Sequence, residues 1–403
     1  MSYRWVIVAA LLMISALTIP MAGPIMGFFI PAMHAELAIP MAWFGWAIST
    51  RQLAFAFAAP LLGRWIDRHG ARSLLVGIGT LSAVLIYLLG EIQSGWQLIA
   101  CIGLLGLIGL QGGGGDLFAG VVISKWFEEN RARAMSIVFI GMPLGIFVAS
   151  PLSEWLIEAY GWRRAWQIFA VVCGGLFVSF ALLLRKAPEA EPRTTEQPTA
   201  LQTGHQWTRQ EALRSGTFWR LSVAFGILMF TISTVAIFRV PHFIEQGVDA
   251  RWVAFAFSAE AVVSAAVAIP IGLMLERFRV HYLAAAAFTF PIWMLLLTIY
   301  ADTRWQVFAA TMTFGMGAAS VVIIQNTIWP AYFGARNIGA IRGAAMPITL
   351  GFAVLGAPVA GIVKDLTGSF VPLWWATFAA MLVAIVLLLS TPAPRPPQSE
   401  AAV

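Results

Sequence analysis

Hydrophobic residues fall in continuous runs of about 20 or more, separated by short polar segments, along almost the whole chain. At 1.5 Å of rise per residue, a helix of about 20 apolar residues crosses the hydrocarbon core of a bilayer. The pattern predicts spanning helices near 6–30, 41–63, 73–90, 96–124, 134–157, 165–185, 218–244, 250–275, 281–300, 304–331, 342–363 and 370–390. The runs do not alternate, which excludes the period-two signature of a transmembrane β-barrel. Arg4 precedes the first run and no convincing cleavage site follows, so this segment is expected to be retained.

One long polar segment interrupts the series, RKAPEAEPRTTEQPTALQTGHQWTRQEALRSG at 185–216. Its Pro, Thr, Gln and Glu content is that of a flexible linker. Its end, WTRQEALRSG, fits a short amphipathic helix on a membrane surface. The expected fold is an all-α polytopic membrane protein with twelve transmembrane helices in two pseudo-symmetric halves. A six-helix bundle covers 1–186, a cytoplasmic linker 187–216, a second six-helix bundle 217–391 and a cytoplasmic tail 392–403. The halves match at a constant offset of 209: Trp43 with Trp252, Gly63 with Gly272, Asp67–Arg68 with Glu276–Arg277, and Trp96–Gln97 with Trp305–Gln306. Six-helix repeats of this kind are built around a substrate path between the halves.

Composition agrees. Hydrophobic residues make up 60% of the chain and charged ones 11%, against roughly 25% charged in soluble domains. The net charge of +6 does not indicate nucleic acid, because most of the 25 Lys and Arg residues fall in the segments on one side of the predicted spans. That asymmetry predicts cytoplasmic termini. Cys101 and Cys173 lie inside predicted helices, as small apolar packers, with no disulfide or metal framework. No Ser-His-Asp, metal-ligand, dinucleotide or nucleotide-binding spacing is present, so neither an enzyme nor a cofactor is expected and direct ATP energisation has no element to act through.

Between the second and third spans lies GRWIDRHGAR (63–72), a complete G-x-x-x-D-R-x-G-x-R. Gly63 lets a neighbouring helix approach. Asp67 can pair with a basic group or a helix N-terminus, and Gly70 permits the turn. Arg68 and Arg72 hold the loop at an anionic surface. This loop resembles the cytoplasmic motif of the major facilitator superfamily, where it belongs to a gate that locks the outward-facing state. KWFEENRARAMSIVFIGMPLG (125–145) resembles the fourth-to-fifth-helix segment of monocarboxylate transporters and oxalate:formate-type antiporters. Phe127, Arg131, Ala134 and Gly141 fit that pattern, and Ser136 stands where glycine is usual. Arg131 and Arg133 are counted with the gating residues on this resemblance. EALRSGTFWRL (211–221) opens the second half much as that branch does, and YFGARNIGAIRG (332–343) is the second half's matching loop. The chain departs from the branch in its eighth span, where an arginine substrate anchor is usual but no basic residue lies between Arg251 and Arg277.

Charges kept at membrane depth cost several kcal/mol each and mark function. Arg51, in AISTRQLAFAFAAP, lies ~18 Å along its helix from Gly63. Glu260 lies the same ~18 Å from Gly272 and is related to Arg51 by the repeat offset. Arg51 has several readings: its planar fork binds a substrate carboxylate, it belongs to a gate or structural ion pair with Glu260 as possible partner or reaches a wet cavity wall, or it snorkels at the lipid edge. Glu260 is a candidate proton carrier, since a carboxyl in an intermittently wetted apolar site is suited to load and release a proton. Asp116, beside the glycines of GLIGLQGGGGDLFAG (106–120), is a second proton-coupling candidate, or the cap of a locally opened helix. Arg239 and His242 are expected near the outer end of the seventh span, where snorkelling competes with lining a vestibule. Gln325 and Asn326 offer uncharged hydrogen-bonding groups at cavity depth, for substrate or for packing.

The expected function is secondary active transport of a small organic anion, a carboxylate, by alternating access, coupled to protons or to a counter-anion. The alternative is proton-coupled export of hydrophobic or cationic compounds recognised by Asp116 and Glu260. The expected setting is a bacterial inner membrane, with the lipid bilayer as environment and the monomer as the working unit.

Overall fold

The computed structural model describes residues 3–22, 25–110, 115–127, 130–185, 206–278, 280–334, 336–391 and 394. Helices follow one another throughout: α1 (Tyr3–Ala22), α2 (Met26–Leu37), α3 (Met41–His69), α4 (Ala71–Leu89), α5 (Gly95–Leu107), α6 (Gly115–Trp126), α7 (Arg131–Phe139) and α8 (Gly141–Leu182). After the linker come α9 (Arg209–Arg214), α10 (Gly216–Ala236), α11 (Arg239–Glu245), α12 (Ala250–Arg277), α13 (Val280–Ala287), α14 (Thr289–Ile299), α15 (Arg304–Phe333), α16 (Ile338–Thr367) and α17 (Val371–Leu389). Among the described residues, nine helical stretches are long and apolar enough to cross a bilayer. One of these, Arg133–Leu182, is two spans, because Gly161 turns the chain at φ 79°, a left-handed conformation that glycine adopts without steric cost. The two other expected spans are α3, whose apolar run is interrupted by Arg51 and Gln52, and the pair α5–α6.

Five predicted spans are not single helices; 134–157 divides at Ile140 between α7 and α8, 281–300 divides at Phe288 between α13 and α14, and three more are interrupted. The expected helix at 6–30 is α1 and α2, with Gly23–Pro24 outside the described residues. The expected helix at 96–124 stops at Leu107, and Gly109 takes φ 94°. Residues 111–114, with the first three of the four glycines, lie outside the description. At 218–244, α10 ends at Ala236 and a turn at Ile237–Phe238 precedes α11. Glycine and proline withdraw the hydrogen bond or side-chain support that keeps a long helix continuous. The linker's tail forms α9, closed at its start by a capping box between Thr208 and Glu211. The rest of the linker and the C-terminal tail lie outside the described residues, apart from Pro394.

The outer surface is apolar, with Phe57, Val171, Leu366 and Val386 all more than half exposed. Water would make such a surface a liability; lipid makes it the natural solvent. Inside, the repeat is visible as geometry. A Cβ at Gly106 would overlap the carbonyl of Arg51, and one at Gly315 would lie 2.8 Å from the carbonyl of Glu260. Gly106 and Gly315 stand at the same 209 offset as Arg51 and Glu260. Gln97 accepts from the backbone N–H of Gln93 at 2.7 Å, and Gln306, its repeat mate, accepts from that of Asp302 at 3.0 Å. In each half a glycine, on α5 or α15, thus faces the charged position of α3 or α12.

The halves meet at the face opposite the chain termini. There Gly27 abuts Ile237 and Val240, Gly45 abuts Ala357 and Pro358, and Gly361 abuts Ala42. Phe28 and Phe257 meet edge-on at 5.3 Å across the same junction. Toward the terminal face, a Cβ at Gly63 of α3 or at Gly339, Gly343 or Gly351 of α16 would meet nothing within 4 Å. The two helices touch at one end and are free of close neighbours at these positions of the other. Gly315→Val should therefore lower thermal stability in detergent by about 1–3 kcal/mol through overpacking, whereas Gly343→Ala should leave the melting temperature unchanged or raised. Equal effects of the two substitutions would contradict this packing.

Candidate functional site

Among the described residues, two arginines and a glutamate are buried at depth: Arg51 at 7% exposure, Arg239 at 4% and Glu260 at 7%. Arg239 does not reach an interface. The break after α10 starts α11 at Arg239 itself, and the guanidinium turns inward. Its Nη2 lies 3.0 Å from Glu260 Oε1 and 2.8 Å from Oε2. The rings of Phe257 and Phe314 stand 4.1 and 3.9 Å from the guanidinium carbon. Aromatic faces stabilise a desolvated cation by roughly 2 kcal/mol, so the pair is held by charge in its plane and by π faces. Glu260 is therefore partnered by Arg239 and not by Arg51.

Arg51 is left differently placed. Its backbone is clamped against Gly106, while its Nε and Nη1 are buried without a hydrogen-bond partner among the described residues. Arg239 also keeps Nε and Nη1 unpartnered, because Glu260 engages only Nη2. Donors left on two nitrogens of a buried guanidinium are available for charge-assisted hydrogen bonds to an anionic group. His242 is buried and donates Nε2–H to the Thr298 carbonyl at 3.1 Å, its ring edge-on to Trp374 at 4.5 Å. It acts as a structural clasp between α11 and α14.

The remaining predicted positions are dispersed. Asn326 is exposed, and its Oδ1 accepts from Arg342 Nη1 at 2.9 Å. Gln325 is half-buried. Asp116 falls in the first turn of α6 and Asp67 in the last turn of α3; their side chains lie outside the description. Gly70 takes φ 84° between α3 and α4, as the loop motif requires. Arg68, Arg72, Arg131 and Arg133 are exposed at the terminal face, and Arg133 sits 5.8 Å over the ring of Trp5. The partners that sequence reasoning missed are Gly106, Gly315, Phe257 and Phe314. The repeat offset carried the signal for the two glycines; nothing in the sequence singles out two phenylalanines among 28.

Two helical bundles meeting at one face, with charged side chains buried behind their junction, make a polytopic membrane protein, which its family and relatives identify as a transporter and not an enzyme. The chain belongs to the Major Facilitator Superfamily, whose family model matches residues 8–348. Among curated relatives, Monocarboxylate transporter 13 of Bos taurus is 24% identical over 97% of this chain and 89% of its own. Monocarboxylate transporter 2 of Mus musculus is 24% identical over 85% and 74%. A bacterial homolog to the human lysosomal transporter Spinster, in an inward-facing and occupied conformation, shares the fold with a TM-score of 0.71 and 16% identity over 97% and 96% of the two chains. The nucleoside transporter NupG does so with a TM-score of 0.73 and 14% identity over 97% and 99%.

Removing one member of the Arg239–Glu260 pair should cost about 3–5 kcal/mol, because the other charge is stranded in an apolar site. Thermal unfolding of Arg239→Met, Glu260→Met and the double variant checks this: each single should melt well below the wild type, and the double should recover most of the loss. Additive losses in the double would contradict the pairing.

Proposed function

We propose that the protein is a secondary transporter of a small organic anion, a carboxylate, with Arg51 as the anchoring cation. One observation carries this reading: Glu260 is neutralised by Arg239, while Arg51 holds two buried donors with no partner among the described residues. The positive charge at depth favours an anion over the cationic compounds of the alternative reading, which needs Glu260 free. Relatives that are monocarboxylate transporters support the same substrate class. Arg51 takes the part that an eighth-span arginine is expected to play in that branch.

In this proposal the halves rock about the buried cluster, exposing it to each side in turn. With the termini cytoplasmic, in a bacterial inner membrane, the arrangement closed opposite the termini is the inward-facing state. Glu260 is the proposed coupling group: a proton on it would release Arg239 and add a second free guanidinium to the cavity. Arg239, Gln325 and Asn326 are proposed to line the path, Asp116 to serve as a further coupling carboxyl, and the 63–72 loop with Arg131 and Arg133 to gate the terminal face. A monomer suffices for this cycle, and a counter-anion is the alternative coupling partner.

A ligand that binds the folded state raises its stability by mass action. Purified protein should be stabilised by members of a panel of mono- and dicarboxylates and not by cationic dyes. Arg51→Ala should remove a carboxylate's binding by roughly 30-fold or more, the cost of truncating a buried charge partner. Arg51→Lys should fail as well, since an ammonium cannot supply the fork. Stabilisation by cations alone, or carboxylate binding that survives in Arg51→Ala, would overturn the proposal.

A further inference from the structure

The junction between the halves is hydrogen-bonded in a form that follows from two prolines. Pro151 lies inside α8 and Pro358 inside α16. A proline has no N–H, so the carbonyl four residues earlier loses its helical donor. Those carbonyls belong to Phe147 and Val354. Each receives a hydroxyl from the opposite half: Ser258 Oγ donates to Phe147 O at 2.8 Å, and Ser49 Oγ donates to Val354 O. Ser49 and Ser258 are repeat mates at the 209 offset, and both are buried. The same constellation therefore occurs twice, once between α3 and α16 and once between α12 and α8.

From this arrangement we infer that Ser49 and Ser258, with the carbonyls exposed by Pro358 and Pro151, form a paired latch holding shut the face opposite the termini. The proline in each case makes a carbonyl that its own helix cannot satisfy, and a buried carbonyl left unpaired is costly. The serine of the other half satisfies it only while the halves are together. The latch is reversible because the hydroxyl has a fallback: Ser258 Oγ already lies 3.4 Å from Ala254 O, one turn back in its own helix. The ends of the same two contacts carry charge. Asp365 of α16 accepts from the N–H groups of Met41 at 2.8 Å and Ala42 at 2.9 Å. It thereby caps α3, whose own N-cap, Pro40, offers no side-chain acceptor. Arg251 of α12 pairs with Glu158 of α8, its Nε donating at 3.2 Å. Each serine also sits two residues from a charge of the buried cluster, Arg51 or Glu260. The seam and the cluster ride on the same turns of α3 and α12, whatever substrate the cluster takes.

The test is the distance across the closed face, read by double electron–electron resonance in lipid nanodiscs. Nitroxides go on Gln93→Cys and Asp302→Cys, which are exposed repeat mates, one in each half, with Cys101→Ala and Cys173→Ala as background. A buried hydrogen bond has a net effect of about 1 kcal/mol, or about fivefold in an equilibrium constant. Ser49→Ala and Ser258→Ala should each raise the open-to-closed ratio about fivefold, and the double variant about 25-fold if the sites are independent. Ser→Thr at either position should keep the hydroxyl and the wild-type distribution. Pro358→Ala restores an N–H to the Val354 carbonyl without harming the helix. It should open the face by itself, and adding Ser49→Ala to it should add little. An unchanged distance distribution in the folded double-serine variant would overturn the latch. So would a shift in only one of the single-serine variants, or independent multiplication of the Ser49 and Pro358 effects.

Discussion

A charge in the interior of a membrane protein must be paired, stacked or wetted, and that constraint organises this structure. Arg239 meets it three ways, with Glu260 in its plane and Phe257 and Phe314 on its faces. The break between α10 and α11 exists at the residue where Arg239 must turn inward, and Gly315 is a glycine because Glu260's backbone lies against it. Arg51 lies with its backbone against Gly106, and two of its nitrogens have no partner among the described residues. One arginine paired with a carboxylate and another with no such partner among the described residues give the two repeats different chemistry.

The repeat supplies the rest. One helix pair per half packs through a glycine set against a charged position, and one serine per half reaches across the junction. A duplicated unit gives two equivalent seams from one design, and two equivalent seams allow a rocking motion about the cluster between them. Charge, by contrast, is asymmetric, since one copy carries arginine where the other carries glutamate.

Much of this was legible in the chain. Apolar runs locate the spans because bilayer thickness fixes their length, and the 209 offset exposes the duplication through Trp43–Trp252 and Gly63–Gly272. The depth of Arg51 and Glu260 followed from helical rise alone. Their partners did not, because pairing depends on which faces of α3, α11 and α12 turn toward one another. Arg239 reads as an interfacial residue unless the chain is known to bend just before it. The opening of the fourth span at Gly109 was one of two readings of a glycine-rich stretch, and sequence could not choose, since close packing and a broken helix both call for glycine. Ser49 and Ser258 were invisible for a plainer reason: a helical serine normally bonds its own backbone, and only the juxtaposition of Pro151 and Pro358 gives them another acceptor.

The central claim is that Arg51 is the cation a carboxylate meets while Glu260 stays on Arg239. The direct measurement is an experimental structure with a bromine-substituted carboxylate bound, the anion located by anomalous scattering. The account predicts its carboxylate within hydrogen-bond distance of the Arg51 guanidinium, beside an intact Arg239–Glu260 pair. A carboxylate elsewhere, with Arg51 instead engaged by one of the protein's own acids, would contradict it.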